Sequence, residues 1–160
     1  MNKGFAPIID NNSRVLILGT FPSPISRSIN EYYGNNKNKF WELIKDIFND
    51  GINFKDYNDK KNCLIKNNIA LWDIVNECDS INAADTSINW KTAIFNDISN
   101  LIKQYPNIKK IILTSGKCEK YFYKNNNIES IEIVRVISPS SAAAKPYNYK
   151  LSEWKININN

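Results

Sequence analysis

Short apolar runs alternate along the chain with segments whose apolar residues recur at helical spacing, the pattern of a parallel sheet covered by helices. Val15-Leu16-Ile17-Leu18 reads as the first buried strand and stops at Gly19. Asn38 to Asn49 reads as a helix, with Phe40, Trp41, Leu43, Ile44, Ile47 and Phe48 on one broad face. A second helix, Tyr57 to Lys66, leads into the strand Ile69-Ala70-Leu71-Trp72. Helical spacing returns from Trp90 to Lys103, Pro106 breaks it, and Ile108 to Leu113 forms a third strand. Lys117 to Lys124 is a short helix, Ile131 to Ile137 the fourth strand, and Tyr147 to Lys155 a last helix.

These elements predict a three-layer α/β/α sandwich around a central four-stranded parallel sheet, in one domain spanning residues 1–160. Ligands of such sheets bind beyond the carboxyl ends of the strands. Those ends are Gly19 to Ser23, Asp73 to Asn76, Thr114 to Lys117 and Ser138 to Ala144, and any site is expected to draw on them.

Composition narrows the chemistry. The three cysteines form no CxxC pair and the chain has no histidine, so no zinc ligand set, metal or other cofactor is expected. Lack of histidine also excludes Ser-His and Cys-His nucleophilic mechanisms, and a small-molecule hydrolase with a GxSxG elbow has no support either. Catalysis falls to Asn, Asp, Glu, Ser, Tyr, Lys or the main chain. No apolar run approaches the roughly 18 residues of a membrane span. Met1 to Pro7 lacks the cationic lead and apolar core of a signal peptide, so a cytoplasmic location is expected. A net charge of +5 and a pI near 9.0 suit a polyanionic partner. The abundance of Asn, Lys and Ile would equally follow from an A+T-rich genome, so the charge alone decides nothing.

Three stretches carry candidate chemistry, each with an ordinary structural alternative. Gly19-Thr20-Phe21-Pro22-Ser23-Pro24 ends the first strand on a residue that lets a ligand approach the main chain. A strand followed by glycine is nevertheless common in α/β folds. Tyr32-Tyr33-Gly34-Asn35-Asn36-Lys37-Asn38-Lys39-Phe40-Trp41 offers a polar loop and an aromatic pair. There Asn38 could simply cap a helix and Phe40 simply be core. Near a bound base, Phe40 could instead supply a stacking face, worth roughly 1–3 kcal/mol. Ser138-Pro139-Ser140-Ser141-Ala142-Ala143-Ala144-Lys145 presents small donors around a proline, as a phosphate-contacting loop or a plain turn would.

Taken in order, these stretches resemble the hypoxanthine-DNA glycosylase group of the uracil-DNA glycosylase superfamily. The resemblance runs through Gly4-Phe5-Ala6-Pro7, Val15 to Ser23, Tyr32-Tyr33 and Asn38-Lys39-Phe40-Trp41. It continues at Leu71-Trp72-Asp73-Ile74-Val75, Cys78 and Asp85-Thr86-Ser87-Ile88, and closes at Ser138-Pro139-Ser140, Ala142 to Ala144, Leu151 and Trp154. It implies a uracil-DNA glycosylase-like fold and a monofunctional glycosylase acting on DNA that contains a deaminated base; a monomer is expected, though the residues do not speak to oligomeric state. Hypoxanthine is the first expectation and uracil the second.

Carried over by residue, the resemblance makes Asn38 catalytic and Phe40 the aromatic that stacks on the extruded base. Gly19, Thr20, Phe21, Tyr33 and Asp73 join Phe40 around the base, Asp73 standing where the superfamily often reads the base edge. Asp73 capping the next turn is the plain alternative. Ser23, Ser138, Ser140 and Lys145 fall on the DNA backbone side. The chain departs from the group at Asn35-Asn36, where His-Pro is usual, and at Ile137 and Ser141, where prolines are usual. The better-known uracil enzymes carry a carboxylate or Asn where Phe21 stands, and a bulky wedge where Ser140 stands. No strong general base and no intercalating side chain is identified.

The expected mechanism is charge stabilisation in a dry pocket. Asn38 holds a water through its amide oxygen, while main-chain N–H groups of Thr20 and Phe21 and the ring of Phe40 hold the base. With no lysine in a motif position, an abasic site without strand cleavage is expected. The alternative from another class is a non-catalytic α/β module that binds nucleotides or nucleic acid, with Asn38 only a cap.

Overall fold

A computed structural model describes residues 1–80 and 88–159. Of the motif segment 85–88, only Ile88 lies within the described residues. In chain order the elements are β1 (Asn2–Lys3), β2 (Val15–Gly19), α1 (Pro24–Ile29), α2 (Phe40–Phe48), α3 (Tyr57–Lys66), β3 (Ile69–Asp73), β4 (Val75–Cys78), β5 (Ile94–Phe95), α4 (Ile98–Gln104), β6 (Lys110–Leu113), α5 (Gly116–Asn125), β7 (Glu132–Arg135) and α6 (Tyr147–Asn159).

The expected four-stranded parallel sheet is present, in the order β3-β2-β6-β7. Strand alternation sorts its side chains between two cores. Ile17, Leu71 and Ile112 face α2, α3 and α6, where Phe40, Trp41, Leu64 and Trp154 are buried. Leu16, Leu18, Ala70, Ile111 and Leu113 face α4 and α5, against Ile98, Leu101, Cys118 and Phe122. All three cysteines are buried free thiols. Among the described residues, no helix is long and apolar enough to cross a membrane, and no cluster of three or more His, Cys, Asp or Glu residues could hold a metal ion.

Several details differ from the sequence pattern. The helix expected at Trp90–Lys103 begins only at Ile98, because Asp97 caps it by accepting from Asn100 N at 2.9 Å. Ahead of it, Asn96 is held extended by its own N–H to Ile74 O and its amide Nδ2 to Asp73 O. Ile94–Phe95 thereby joins a second, antiparallel sheet of order β1-β4-β5. The stretch after Gly19 does not remain a loop to Pro24 and beyond. Ser23 caps α1 by accepting from Ser26 N, and Pro24 starts that helix, where its missing N–H costs nothing. At the other end, α6 continues past Lys155 to bury Ile158.

Candidate active site

The register of the parallel sheet sets Gly19 beside Asp73 at the carboxyl ends of β2 and β3. Beyond these ends lies a cavity of about 320 Å³, at the small end of the roughly 300–1,000 Å³ typical of ligand pockets. All four strand-end stretches contribute to it: Gly19 to Ser23, Asp73, Thr114 with Ser115, and Ser138 with Ser140 and Ser141. The segment ahead of α2 closes it with Tyr32, Tyr33, Asn35, Lys37 and Asn38, and Ser26 of α1 completes the wall.

Gly19 has to be glycine for reasons of space. A methyl group on it would lie 2.6 Å from Asp73 Oδ1 and 2.7 Å from the Tyr33 hydroxyl. The carboxylate and the phenol therefore converge on one point above the strand end. Asp73 is 5% exposed, its Oδ2 is buried without a hydrogen-bond partner, and burial pushes its pKa up to about 7. The Tyr33 hydroxyl is also shielded and unpartnered. Thr114 lies close, yet its Oγ1 hydrogen goes to Leu18 O at 2.9 Å. Burial, and then the charge of Asp73, raise the Tyr33 pKa well above its usual value. Two unsatisfied polar groups in one small cavity are expensive unless a ligand completes them.

Tyr33 is held in an unusual conformation. Its φ of 52° is in the left-handed region, which a bulky side chain enters only at a cost of about 1–3 kcal/mol. The surroundings hold it there. Its ring stacks on Phe40, Gly34 N donates to Ser26 Oγ at 2.9 Å, and Trp41 Nε1 donates to Tyr32 O at 2.7 Å.

Asn38 lines the cavity, but its amide oxygen accepts the N–H of Phe40 at 2.9 Å. That contact starts α2 two residues later than the pattern suggested, and it fixes the side chain's orientation, since Nδ2 could not face another donor. The expected use of the amide oxygen is thus altered: one lone pair closes an Asx turn ahead of α2, whose N-cap position is Lys39, leaving the other and the two Nδ2 hydrogens. Phe40 is fully buried between Tyr33, Trp41 and Trp154 and does not line the cavity. The aromatic residues that do line it are Phe21, Tyr32 and Tyr33. Lys145 is exposed and lies outside the lining.

The loop of Ser138 and Ser140 is secured from behind by α6. Glu153 Oε1 accepts from Ile137 N at 2.6 Å, Trp154 Nε1 donates to Ile137 O at 2.8 Å, and the buried Lys150 ammonium donates to Ser140 O at 2.9 Å. Burial, then the charge of Lys39, lower the Lys150 pKa. Lys39 N donates to Pro139 O at 2.8 Å, tying this loop to the start of α2. Within the loop, Ser138 Oγ accepts from Ser140 N and Ser140 Oγ from Ala142 N.

Sequence reasoning overlooked Ser115, whose hydroxyl caps α5 at Cys118 N while its residue lines the cavity. The strand-end rule marked its stretch without singling it out. Asn35 and Ser141 likewise lay in marked stretches without being singled out, while Ser26 was missed, and α1, which brings it to the wall, was readable only from the Ser-Pro start signal.

Comparison with known proteins adds to this geometry. Residues 6–160 match the Uracil DNA glycosylase superfamily. A hypoxanthine DNA glycosylase of Methanosarcina barkeri (strain Fusaro) is 33% identical over 152 residues, 95% of this chain and 94% of that protein. One from Methanosarcina acetivorans is 28% identical over 158 residues, 97% of this chain and 96% of that protein. The solution NMR structure of a candidate uracil DNA glycosylase from Methanosarcina acetivorans superposes with a TM-score of 0.79 at 28% identity, covering 98% of this chain and 95% of that one.

Proposed function

Since the chain belongs to the uracil DNA glycosylase superfamily, we propose that it hydrolyses the N-glycosidic bond of a deaminated base in DNA, with hypoxanthine preferred over uracil. The name of its two relatives supports that order of bases. The single observation that carries the reading is the cavity itself. It has room for a base, it is assembled at the carboxyl ends of all four parallel strands, and it holds unsatisfied polar groups.

The glycosidic bond is inaccessible in a stacked duplex, so the nucleotide must turn out into the cavity. Water then adds its hydroxyl to the sugar C1′. The base leaves with the electron pair of the broken C–N bond and takes up the remaining proton. Polar groups fixed in a dry cavity stabilise the sugar cation and the departing anion without reorganising. Asn38, with one oxygen lone pair and two amide hydrogens uncommitted to the helix, orients the water at the cavity wall. The Ser138–Ser140 loop, braced by Lys150 and Trp154, lies beside the cavity where the DNA backbone would pass. No cofactor enters this scheme, and residues 1–160 act as one glycosylase domain of a cytoplasmic monomer.

One observation favours the alternative of a binding module without turnover: Asn38 already has a structural task, accepting from Phe40 N in the turn that leads into α2. A panel of duplexes, each carrying one hypoxanthine, uracil or xanthine, separates the two. Abasic sites should appear first with hypoxanthine, seen as strand breaks only after alkali. Lys37 lines the cavity as an exposed residue, so borohydride trapping belongs in the same assay. No covalent adduct is expected. Tight lesion binding with no abasic product would establish the binding module instead.

A further inference from the structure

We infer that Lys150, buried behind the loop 138–141, is a positioning residue for one DNA phosphate: it turns the Ser141 N–H towards that phosphate and gives the loop a positive charge. The inference rests on the reading that DNA passes along this loop, and adds to it the residue that acts on the phosphate from behind.

Among the described residues two lysines are buried, Lys110 and Lys150. Lys110 has a counter-ion in Glu132, 3.9 Å away, and also donates to Asn157 O. Lys150 is 3% exposed and pairs with no carboxylate among the described residues. Acidic groups on the elements around it are engaged elsewhere: Glu42 with Lys39, Asp46 with the Tyr147 hydroxyl, and Glu153 with Ile137 N. The charge that acts on Lys150 is a second cation, Lys39. An ammonium held inside a protein without a counter-ion is costly. An anion brought up to the loop would supply one.

Hydrogen bonds in the loop show how the charge would reach that anion. Ser140 O accepts from Lys150 Nζ at 2.9 Å and from Ala143 N at 3.1 Å, so this carbonyl is turned back towards α6. The peptide is trans, and the N–H of Ser141 therefore points the opposite way. Among the described residues that N–H has no acceptor. Ser138 Oγ and Ser140 Oγ already accept from Ser140 N and Ala142 N, which leaves their own hydrogens to donate. One main-chain N–H and two hydroxyl hydrogens are thus uncommitted, all on residues that line the cavity.

A phosphate accepting from Ser141 N would stand about 8 Å from the Lys150 ammonium, across two hydrogen bonds and the peptide between them. Unit charges at that separation, at an effective dielectric constant of about 20, correspond to about tenfold or more in affinity. Lys150 is also held in place before DNA arrives, so it loses no side-chain freedom on binding, unlike an exposed lysine such as Lys145.

A plain tie between α6 and the loop would use the same hydrogen bond, and salt separates the two roles. A tie acts by placing neutral serine donors, whose contacts release no counter-ions and leave the salt slope unchanged. A cation acting on the phosphate changes that slope.

The test uses the whole chain and a duplex with one hypoxanthine, with binding measured across a salt series. Lys150→Met, of similar length and without charge, should bind about tenfold more weakly at low salt. It should also lower the slope of log affinity against log salt by roughly 0.5–1 unit. Lys150→Gln, neutral but able to donate, should behave likewise, and it replaces Lys150→Met if that variant fails to melt cooperatively. Trp154→Phe removes the bond from Trp154 Nε1 to Ile137 O, another tie on this loop, and alters no charge. It should keep the wild-type slope. A scan that needs no variant places one neutral methylphosphonate linkage at each position around the lesion. Wild type should lose about tenfold at one position, and that linkage should cost Lys150→Met almost nothing further. Equal slopes for wild type and the neutral Lys150 variants, an equal fall in slope in Trp154→Phe, or a wild-type scan without a sensitive linkage would overturn the inference. The expected slopes without abasic-site formation would uphold it while removing the glycosylase reading, and abasic-site formation with equal slopes would do the reverse.

Discussion

Phe40 lies beneath Tyr33, their ring centroids 4.2 Å apart and their planes 22° from parallel. Phe40 thus supports a cavity residue from inside the core and presents no face of its own to a ligand. Phe40→Ala should cost about 3–5 kcal/mol through lost burial and a residual void, lowering the melting temperature by roughly 6–20 °C for a chain of this size. Phe40→Leu preserves most of the volume and should cost less than about 2 kcal/mol. Direct stacking of Phe40 on the base would give the opposite pattern in Phe40→Leu, with full stability and lesion binding weakened about tenfold or more. Melting curves and lesion-duplex binding measured side by side decide between them.

That relationship marks where sequence reasoning stops. The apolar runs at Val15–Leu18, Ile69–Trp72, Ile108–Leu113 and Ile131–Ile137 identify the central sheet because buried parallel strands are rich in apolar residues, even though the edge strand β7 exposes Glu132 and Arg135. The strand-end rule then marks the stretches that meet at the cavity. Periodicity tells which residues are buried but not which neighbour each ring faces, so Phe40 and Tyr33 could not be told apart. The left-handed backbone of Tyr33 leaves no trace in composition. Strands β1 and β5 have two residues each, too short for any period, and they exist only through pairing with β4. Ile94, Phe95, Ile98 and Leu101 fit a helix by spacing alone, and the break at Asn96 depends on contacts to Asp73 and Ile74 from a distant part of the chain.

Asp73 should leave a signature in the pH dependence of stability. Its folded pKa is raised from 3.8 to about 7, so the folded state holds its proton more tightly than the unfolded chain. The corresponding stability is fully present below pH 4 and is lost as pH rises to about 7, beyond which the penalty is constant. A shift of this size corresponds to something on the order of 4 kcal/mol. Other carboxylates titrate in the same range, so the useful quantity is the difference between wild type and Asp73→Asn. Denaturant unfolding at pH 4.5 and 8 should show the variant gaining on wild type as pH rises. A constant difference would mean that Asp73 is ionised in the folded state throughout.

Salt dependence should separate the lysines. Lys37 lines the cavity and is exposed, whereas Lys39 is paired with Glu42 Oε2 at 3.2 Å. If DNA lies across the cavity mouth, Lys37→Gln should lower the slope of log affinity against log salt by roughly one unit. Lys145, exposed beyond the Ser138–Ser140 loop, should do the same when DNA follows that loop. Lys39→Gln should change the slope less, its charge being partly balanced already. Equal slopes for wild type and Lys37→Gln would place the DNA away from the cavity mouth.

Asn38 decides the central mechanism, and the structure shows which substitutions are informative. Its amide oxygen accepts from Phe40 N in the turn that leads into α2, so Asn38→Ala removes a hydrogen bond worth about 1 kcal/mol together with any catalytic contact. Asn38→Ser and Asn38→Asp both keep an oxygen that can accept from Phe40 N, and both should melt within a few degrees of wild type. They differ in what they leave for a water molecule. Serine lacks the reach and the second polar atom of the amide, so single-turnover excision should fall by about 100-fold or more, the usual contribution of a positioned polar group. Lesion binding should change little, because the water is not part of the ground-state contact with DNA. Aspartate loses the two amide hydrogens but supplies two oxygens and a negative charge, which favours a positive sugar in the transition state. Its loss should therefore be smaller than that of serine. Serine with full activity and an intact helix would reduce Asn38 to a turn residue ahead of α2. The water would then have to be held by another cavity residue, and Asp73, with its unpartnered Oδ2, is the next to test.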